Sequence, residues 1–145
     1  MKKHYLLLFV LIFSLLIFSA CTSASTSTPE TGMATVKGRV MSEVSGEPLS
    51  DAIVRLAEVF RRPDEEEGDL VMLDQAFSPG TRTDNQGNFM FENVEPMEYV
   101  IVVGDIENTY RIVSDDSGKA SVFMAEPDQI LDVGELTVEL TEDDL

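Results

Sequence analysis

The 145-residue chain has no tryptophan, one histidine, one cysteine, and ten basic residues against 27 acidic ones. Each shortage excludes something. A lone Cys cannot form an intrachain disulfide. His4 and Cys21 lie near the start, so residues 22–145 contain neither type. Ser-His-Asp and Cys-His catalysis, and zinc sites built on His or Cys, are therefore closed to that part of the chain. Carboxylates are abundant, but no pair sits in a context that suggests a catalytic cleft, so no enzyme activity is expected. A formal net charge of −17 argues against nucleic acid or an anionic lipid surface as partner, because both are bound by Lys and Arg. The missing Trp, with only Tyr99 and Tyr110 beyond residue 20, leaves little aromatic surface for stacking on sugars.

Long apolar runs are scarce too. The one present, residues 6–18, is interrupted only by Ser14 and follows Lys2 and Lys3. Thirteen residues fall short of the roughly 20 a membrane-spanning helix needs. A basic start, a short apolar run and small residues at its end match a secretory signal peptide, residues 1–20. The junction Phe18-Ser19-Ala20-Cys21 resembles the lipobox of bacterial lipoproteins, with Phe18 departing from the usual aliphatic residue. The resemblance implies cleavage between Ala20 and Cys21 and acylation of Cys21, palmitate included. The expected location is the extracytoplasmic face of a bacterial cell membrane or outer membrane, with the bilayer a partner through that lipid. Several acyl chains, at about 0.8 kcal/mol per buried CH₂, hold a protein on a membrane without help from charge. After cleavage the chain carries eight basic and 27 acidic residues, a net charge of −19.

Residues 21–33 read as a Ser/Thr-rich tether, since TSASTSTPETG has no periodic apolar pattern to repay ordering. From Ala34 the pattern changes to a period of two. Val36 and Val40, Ala52, Val54 and Leu56, Phe89 and Phe91, Tyr99, Ile101 and Val103, and Leu136, Val138 and Leu140 each share one parity. Such alternation marks strands with one buried face, and turn residues separate them, as at Asp84-Asn85-Gln86-Gly87 and Asp115-Asp116-Ser117-Gly118. Residues 51–62 also read as strand, because Ile53, Val54 and Val59 are β-branched. About seven strands in residues 34–140 predict an all-β antiparallel sandwich, followed by an acidic tail, residues 141–145.

Three segments carry a family resemblance. VKGRVMSEVSGEPLSDAIVRL (36–56), TRTDNQGNFMFENVEPMEYVIVV (81–103) and LDVGELTVEL (131–140) resemble the carboxypeptidase regulatory-like domains, a branch of the transthyretin-like β-sandwiches. The resemblance implies that fold. Two departures stand out: Met97 follows Pro96 where the family has Gly, and residues 61–70 lengthen the loop after the second strand.

That loop is the most unusual stretch. Asp64, Glu65, Glu66, Glu67 and Asp69 follow Arg61-Arg62-Pro63. Five carboxylates suit a calcium site or an acidic partner-docking loop. They equally suit a solvated loop whose charge keeps a sheet edge from pairing. Asp84–Gly87 and Asp115–Gly118 read as turns, since neither has the alternating acids of a calcium loop. Met90, between Phe89 and Phe91, falls on the opposite face from them. The absence of His and Cys from residues 22–145 points to a non-enzymatic module, and the family resemblance implies one that meets an envelope protein. Small-ligand binding, of Ca²⁺ or carbohydrate, is the alternative. No cofactor or bound metal is expected.

Overall fold

The computed structural model describes residues 28–61, 70–72 and 78–145. Within them are nine strands: β1 Ala34–Ser42, β2 Ile53–Phe60, β3 Leu70–Met72, β4 Gly80–Arg82, β5 Asn88–Val94, β6 Glu98–Gly104, β7 Tyr110–Ile112, β8 Val122–Met124 and β9 Ile130–Val138. A 3₁₀ turn, Glu142–Asp144, ends the chain. The signal segment, Cys21 and the acidic loop from Asp64 to Asp69 lie outside the described residues.

Two sheets form. In the small sheet β1 lies between β5 and β9. In the large sheet β2 and β6 are central. β3 and β4 both pair with the outer edge of β2, at Glu58–Phe60 and Ile53–Arg55. β7 and β8 likewise share the outer edge of β6, at Val102–Gly104 and Glu98–Val100. The nine strands thus occupy seven lanes, three in the small sheet and four in the large one. Pairing is antiparallel, as expected, at every ladder but one. β1 and β9 run parallel, Val36 opposite Leu131 and Val40 opposite Leu136. These are the first and last strands, joined by no hairpin, so no short turn dictates their direction.

The core lies between the sheets. Val36 and Val40 of β1, Phe89 and Phe91 of β5, and Leu136 and Val138 of β9 face Val54 and Leu56 of β2 and Tyr99, Ile101 and Val103 of β6. The rings of Phe89 and Phe91 meet edge to face, centroids 5.8 Å apart. Gly38 lies opposite Phe89, and a Cβ there would collide with the Phe89 ring and Val133. Gly87 sits at φ 79°, where a Cβ would also strike the Val40 carbonyl. Met97 is not among the residues with positive φ, so the turn after Pro96 needs no glycine.

One buried clip joins the ends of β2 and β4. Thr83 Oγ1 accepts a hydrogen bond from the Ala52 N–H (2.9 Å) and donates one to the Leu49 carbonyl (2.6 Å). The Tyr99 hydroxyl donates to the Glu95 carbonyl at 3.0 Å. Burial, and then the nearby Glu58 and Glu95 carboxylates, push the Tyr99 phenol up to about 12.

The end of the expected tether is held on the domain. The Glu30 N–H donates to Asn93 Oδ1 (3.1 Å) and the Gly32 N–H to Asp128 Oδ1 (2.7 Å). The Asp128 N–H returns a bond to the Met33 carbonyl at 2.8 Å. Asn93 and Asp128 both have positive φ, 55° and 59°. Asn and Asp are the side-chain-bearing residues that best tolerate this region. In both, a left-handed residue receives a backbone N–H from the segment that leads into β1.

Candidate docking face

The leading Asp of each of three described turns is already occupied. Asp84 Oδ1 accepts from the N–H groups of Gln86 (2.8 Å) and Asn88 (2.9 Å), and the Asn88 side chain donates to both carboxylate oxygens. Asp115 Oδ1 accepts from Ser117 N–H and Oγ–H and from Lys119 N–H. Asp105 repeats the pattern with Glu107 and Asn108. Hydrogen bonds to the ionised form hold Asp84 and Asp115 below the usual carboxylate range, led by the Asn88 and Ser117 side chains respectively. These are Asx-type turns, as their spacing predicts. Among the described residues no group of three or more acids, His or Cys is placed to hold a metal.

Of the unusual loop, only its first residue and its return are described. Arg61 donates from Nε and Nη2 to the two oxygens of Glu98, at 2.9 and 3.0 Å. That bidentate pair holds the Glu98 carboxyl below its ordinary value. Phe60 and Leu70, directly opposite each other, lie at the end of the sandwich where β6 and β1 begin. The N-terminal segment is held at the same end, by Asn93 and Asp128.

The two outward faces of the sandwich differ sharply. On the small sheet, Lys37 and Arg39 of β1 point outward. Their neighbours on β9 are Asp132 and Glu135, at 3.1 and 3.4 Å. Gly134 N–H first, then Lys37, holds the Asp132 carboxyl low. Met90 falls beside Lys37 on the same outward face, opposite its aromatic neighbours as expected. A shallow hollow of about 410 Å³ runs over these charged residues.

The outward face of the large sheet is apolar. Its central lanes present Ile53, Ala57 and Val59 of β2 beside Val100 and Val102 of β6. Cross-strand partners share a face, so Ile112, Val122 and Met124 extend it along β7 and β8, Val71 along β3, and Tyr110 at its corner. Ala57 and Val100 are fully buried and Val102 is 2% exposed, although all three point away from the inter-sheet core. Around them Tyr110, Ile112, Val122 and Met124 are 36–51% exposed. The charged side chains on this face are Arg55, Arg82 and Glu98. Glu98 is tied to Arg61, and Arg82 is paired with Asp51 at 3.3 Å. Sequence reading missed this face. Its one signal was the unbroken apolar run of β6, where Val100 and Val102 fill positions that a half-exposed strand gives to polar residues.

No protein-family model matches the sequence, and no curated protein matches it. Solved structures do. The chain is similar to a protein of Pseudomonas aeruginosa provisionally named as carbohydrate binding, with 17% identity over 77% of this chain and 92% of that one, TM-score 0.43. It is also similar to a DUF3823 family protein of Bacteroides uniformis, with 16% identity over 74% of this chain and 43% of that one, TM-score 0.40. A third similarity is to 5-hydroxyisourate hydrolase of Klebsiella pneumoniae, with 13% identity over 76% of this chain and 94% of that one, TM-score 0.35. The chain thus spans less than half of the DUF3823 protein. The fold class rests on the strand pairing itself: an all-β sandwich.

Proposed function

We propose that this chain is a lipid-anchored extracytoplasmic lipoprotein whose β-sandwich is a non-enzymatic docking module of the carboxypeptidase regulatory-like, transthyretin-like kind. One observation carries the docking role. In a chain of net charge −17, the strands of one sheet face carry, among the described residues, a single acid, Glu98, and an exposed apolar margin of Tyr110, Ile112, Val122 and Met124. Exposed apolar patches rimmed by polar residues mark interaction sites. The family reading is supported by what its motif residues do. Thr83 clips two strands, Asp84 and Gly87 make the turn, and Phe89, Phe91 and Tyr99 fill the core. Every one of these roles is structural, so the motif describes a scaffold and leaves its use to the surface.

The anchor and the docking face are tested separately. Wild-type chain should fractionate with membranes and a Cys21→Ser chain should not; membrane retention of the variant sinks the anchor. Photo-crosslinkers placed at Val122 and, as control, at Thr137 on the opposite sheet should capture protein only from Val122. Equal capture from both positions removes the docking role from this face. No described geometry favours the small-ligand alternative. A calcium site in the acidic loop would raise Tm with millimolar Ca²⁺ and not with Na⁺ at equal ionic strength.

A further inference from the structure

Backbone strain and an unsatisfied buried atom meet at one place, the start of β1. Among the described residues three non-glycine residues have positive φ, and two of them, Asn93 and Asp128, hold residues 30–33. Also among the described residues, the one buried side-chain oxygen without a hydrogen-bond partner is Thr35 Oγ1. Thr35 has the outward parity of Lys37 and Arg39, which are partly exposed, yet it is itself only 1% exposed. Asn93 lies beside it in a bulge of β5, where the register steps from Ala34–Val94 to Val36–Phe91. On the other side Gln129, next to Asp128, accepts the Thr35 N–H on its carbonyl at 2.9 Å. The segment bonded to both flanks is closed into a turn by the Met33 N–H and the Glu30 carbonyl (2.9 Å), and it spans the gap over Thr35.

We infer that residues 28–33 are a releasable latch: docked, they seal Thr35 beneath them, and released, they let water reach its hydroxyl. The docked state is held by backbone N–H groups on the exposed side chains of Asn93 and Asp128, bonds that water replaces with little net loss. No residue of 28–33 is buried, and only Pro29 and Met33 are even half-buried. Against docking stand the ordering of the segment and the burial of a hydroxyl with no partner, and opening reverses both. Thr83 makes the contrast. Its hydroxyl is also buried, but it makes two hydrogen bonds and belongs to a fixed joint between β2 and β4. Local openings of low free energy fall where few apolar contacts are buried, and strain persists where it serves a switch. Release moves the point at which the chain leaves the domain from Thr28 to Ala34, which adds up to about 20 Å of reach. The domain thereby has two stand-off distances from whatever holds the residues before Thr28. The latch does not depend on the lipid reading of Cys21.

The Glu30–Thr31 bond reports the latch, because a glutamyl endopeptidase cuts only chain that it can extend. In the full-length protein the fragment beginning at Thr31, identified by mass, should form at least about tenfold faster than cleavage after Glu58 in β2. It should form at least about tenfold slower than from a free peptide of residues 24–36. Thr35→Val, which removes the hydroxyl and keeps the shape, should slow cleavage after Glu30 by about tenfold. Asn93→Gly and Asp128→Gly keep the backbone conformation and delete the acceptor, so each should speed that cleavage several-fold. Cleavage after Glu30 as fast as in the peptide would mean that nothing is docked. Cleavage as slow as after Glu58 would make the segment a fixed part of the fold. Either result overturns the latch, as does a Thr35→Val chain whose cleavage after Glu30 is unchanged or faster.

Discussion

The two outward faces of this sandwich solve one problem in opposite ways. Each lies on the far side of a sheet whose inner face is filled by Val, Leu, Ile and aromatic residues. The small sheet closes its outer side with cross-strand charge, Lys37 to Asp132 and Arg39 to Glu135. The large sheet closes its own with Val, Ile and Ala, and withdraws Ala57 and Val100 entirely from water. Both faces carry basic residues, Arg55 and Arg82 on the large sheet, so the difference lies in what surrounds them. Two of the eight that follow residue 20 neutralise acids across the small sheet's outer face, which leaves that face finished. The large sheet's face is a half-built core, with a buried centre and an exposed apolar margin.

Substitutions can break this contrast, the strongest first. Val100→Asp puts a carboxylate at the closed centre and should cost about 3–5 kcal/mol, enough to unfold much of the chain by urea titration. The same Asp at Val122, on the open margin, should stay within about 0.5 kcal/mol. Equal effects at the two positions would show that the centre is no more closed than the margin.

Alkali and acid each probe one residue of the sandwich. Tyr99 of β6 has its folded pKa raised to about 12 from an ordinary 10. The unfolded chain ionises first, so stability present below pH 10 falls as pH rises from 10 through 12. Tyr99→Phe should flatten that fall, measured by Tm against pH. Asp132 behaves oppositely. The Gly134 N–H, and then Lys37, hold its folded pKa below the ordinary aspartate value, so its contribution is present above that ordinary value and is lost as pH falls through the lowered one. Asp132→Asn should therefore flatten, by a small amount, the fall of Tm at acid pH; an unchanged acid limb would contradict the assignment.

The smallest effect is expected at the ion pairs themselves. Lys37 and Asp132 are 42% and 57% exposed, and exposed pairs contribute little after screening. Lys37→Ala should barely move Tm, and the difference should vanish in about 1 M salt. A large, salt-resistant loss would mean that charge stabilises the small sheet far more than its exposure allows.

What the sequence shows and hides follows the same division. The inward positions were legible because alternation is a local signal. Val36 and Val40, Phe89 and Phe91, and Leu136 and Val138 are where their parity put them. The Asp84–Gly87 turn was legible because its hydrogen bonds span four residues. β3, β4, β7 and β8 were not, since three residues are too few to display a period and their identity comes from pairing with β2 and β6. The parallel direction of β9 was equally hidden, because its partner is about a hundred residues away. The apolar outer face of the large sheet lay in plain view as Val100 and Val102, but a continuous apolar run does not say which side is covered by what.

The β1–β9 ladder also sets the order in which the molecule can be made. β1 is central in its sheet, yet one of its two neighbours is the last strand of the chain. Until residues 130–140 exist, Leu136, Val138 and Leu140 are missing from the core and one side of β1 has no partner. A chain threaded out amino end first must therefore wait, open, for its final segment, and close in one late, non-local step.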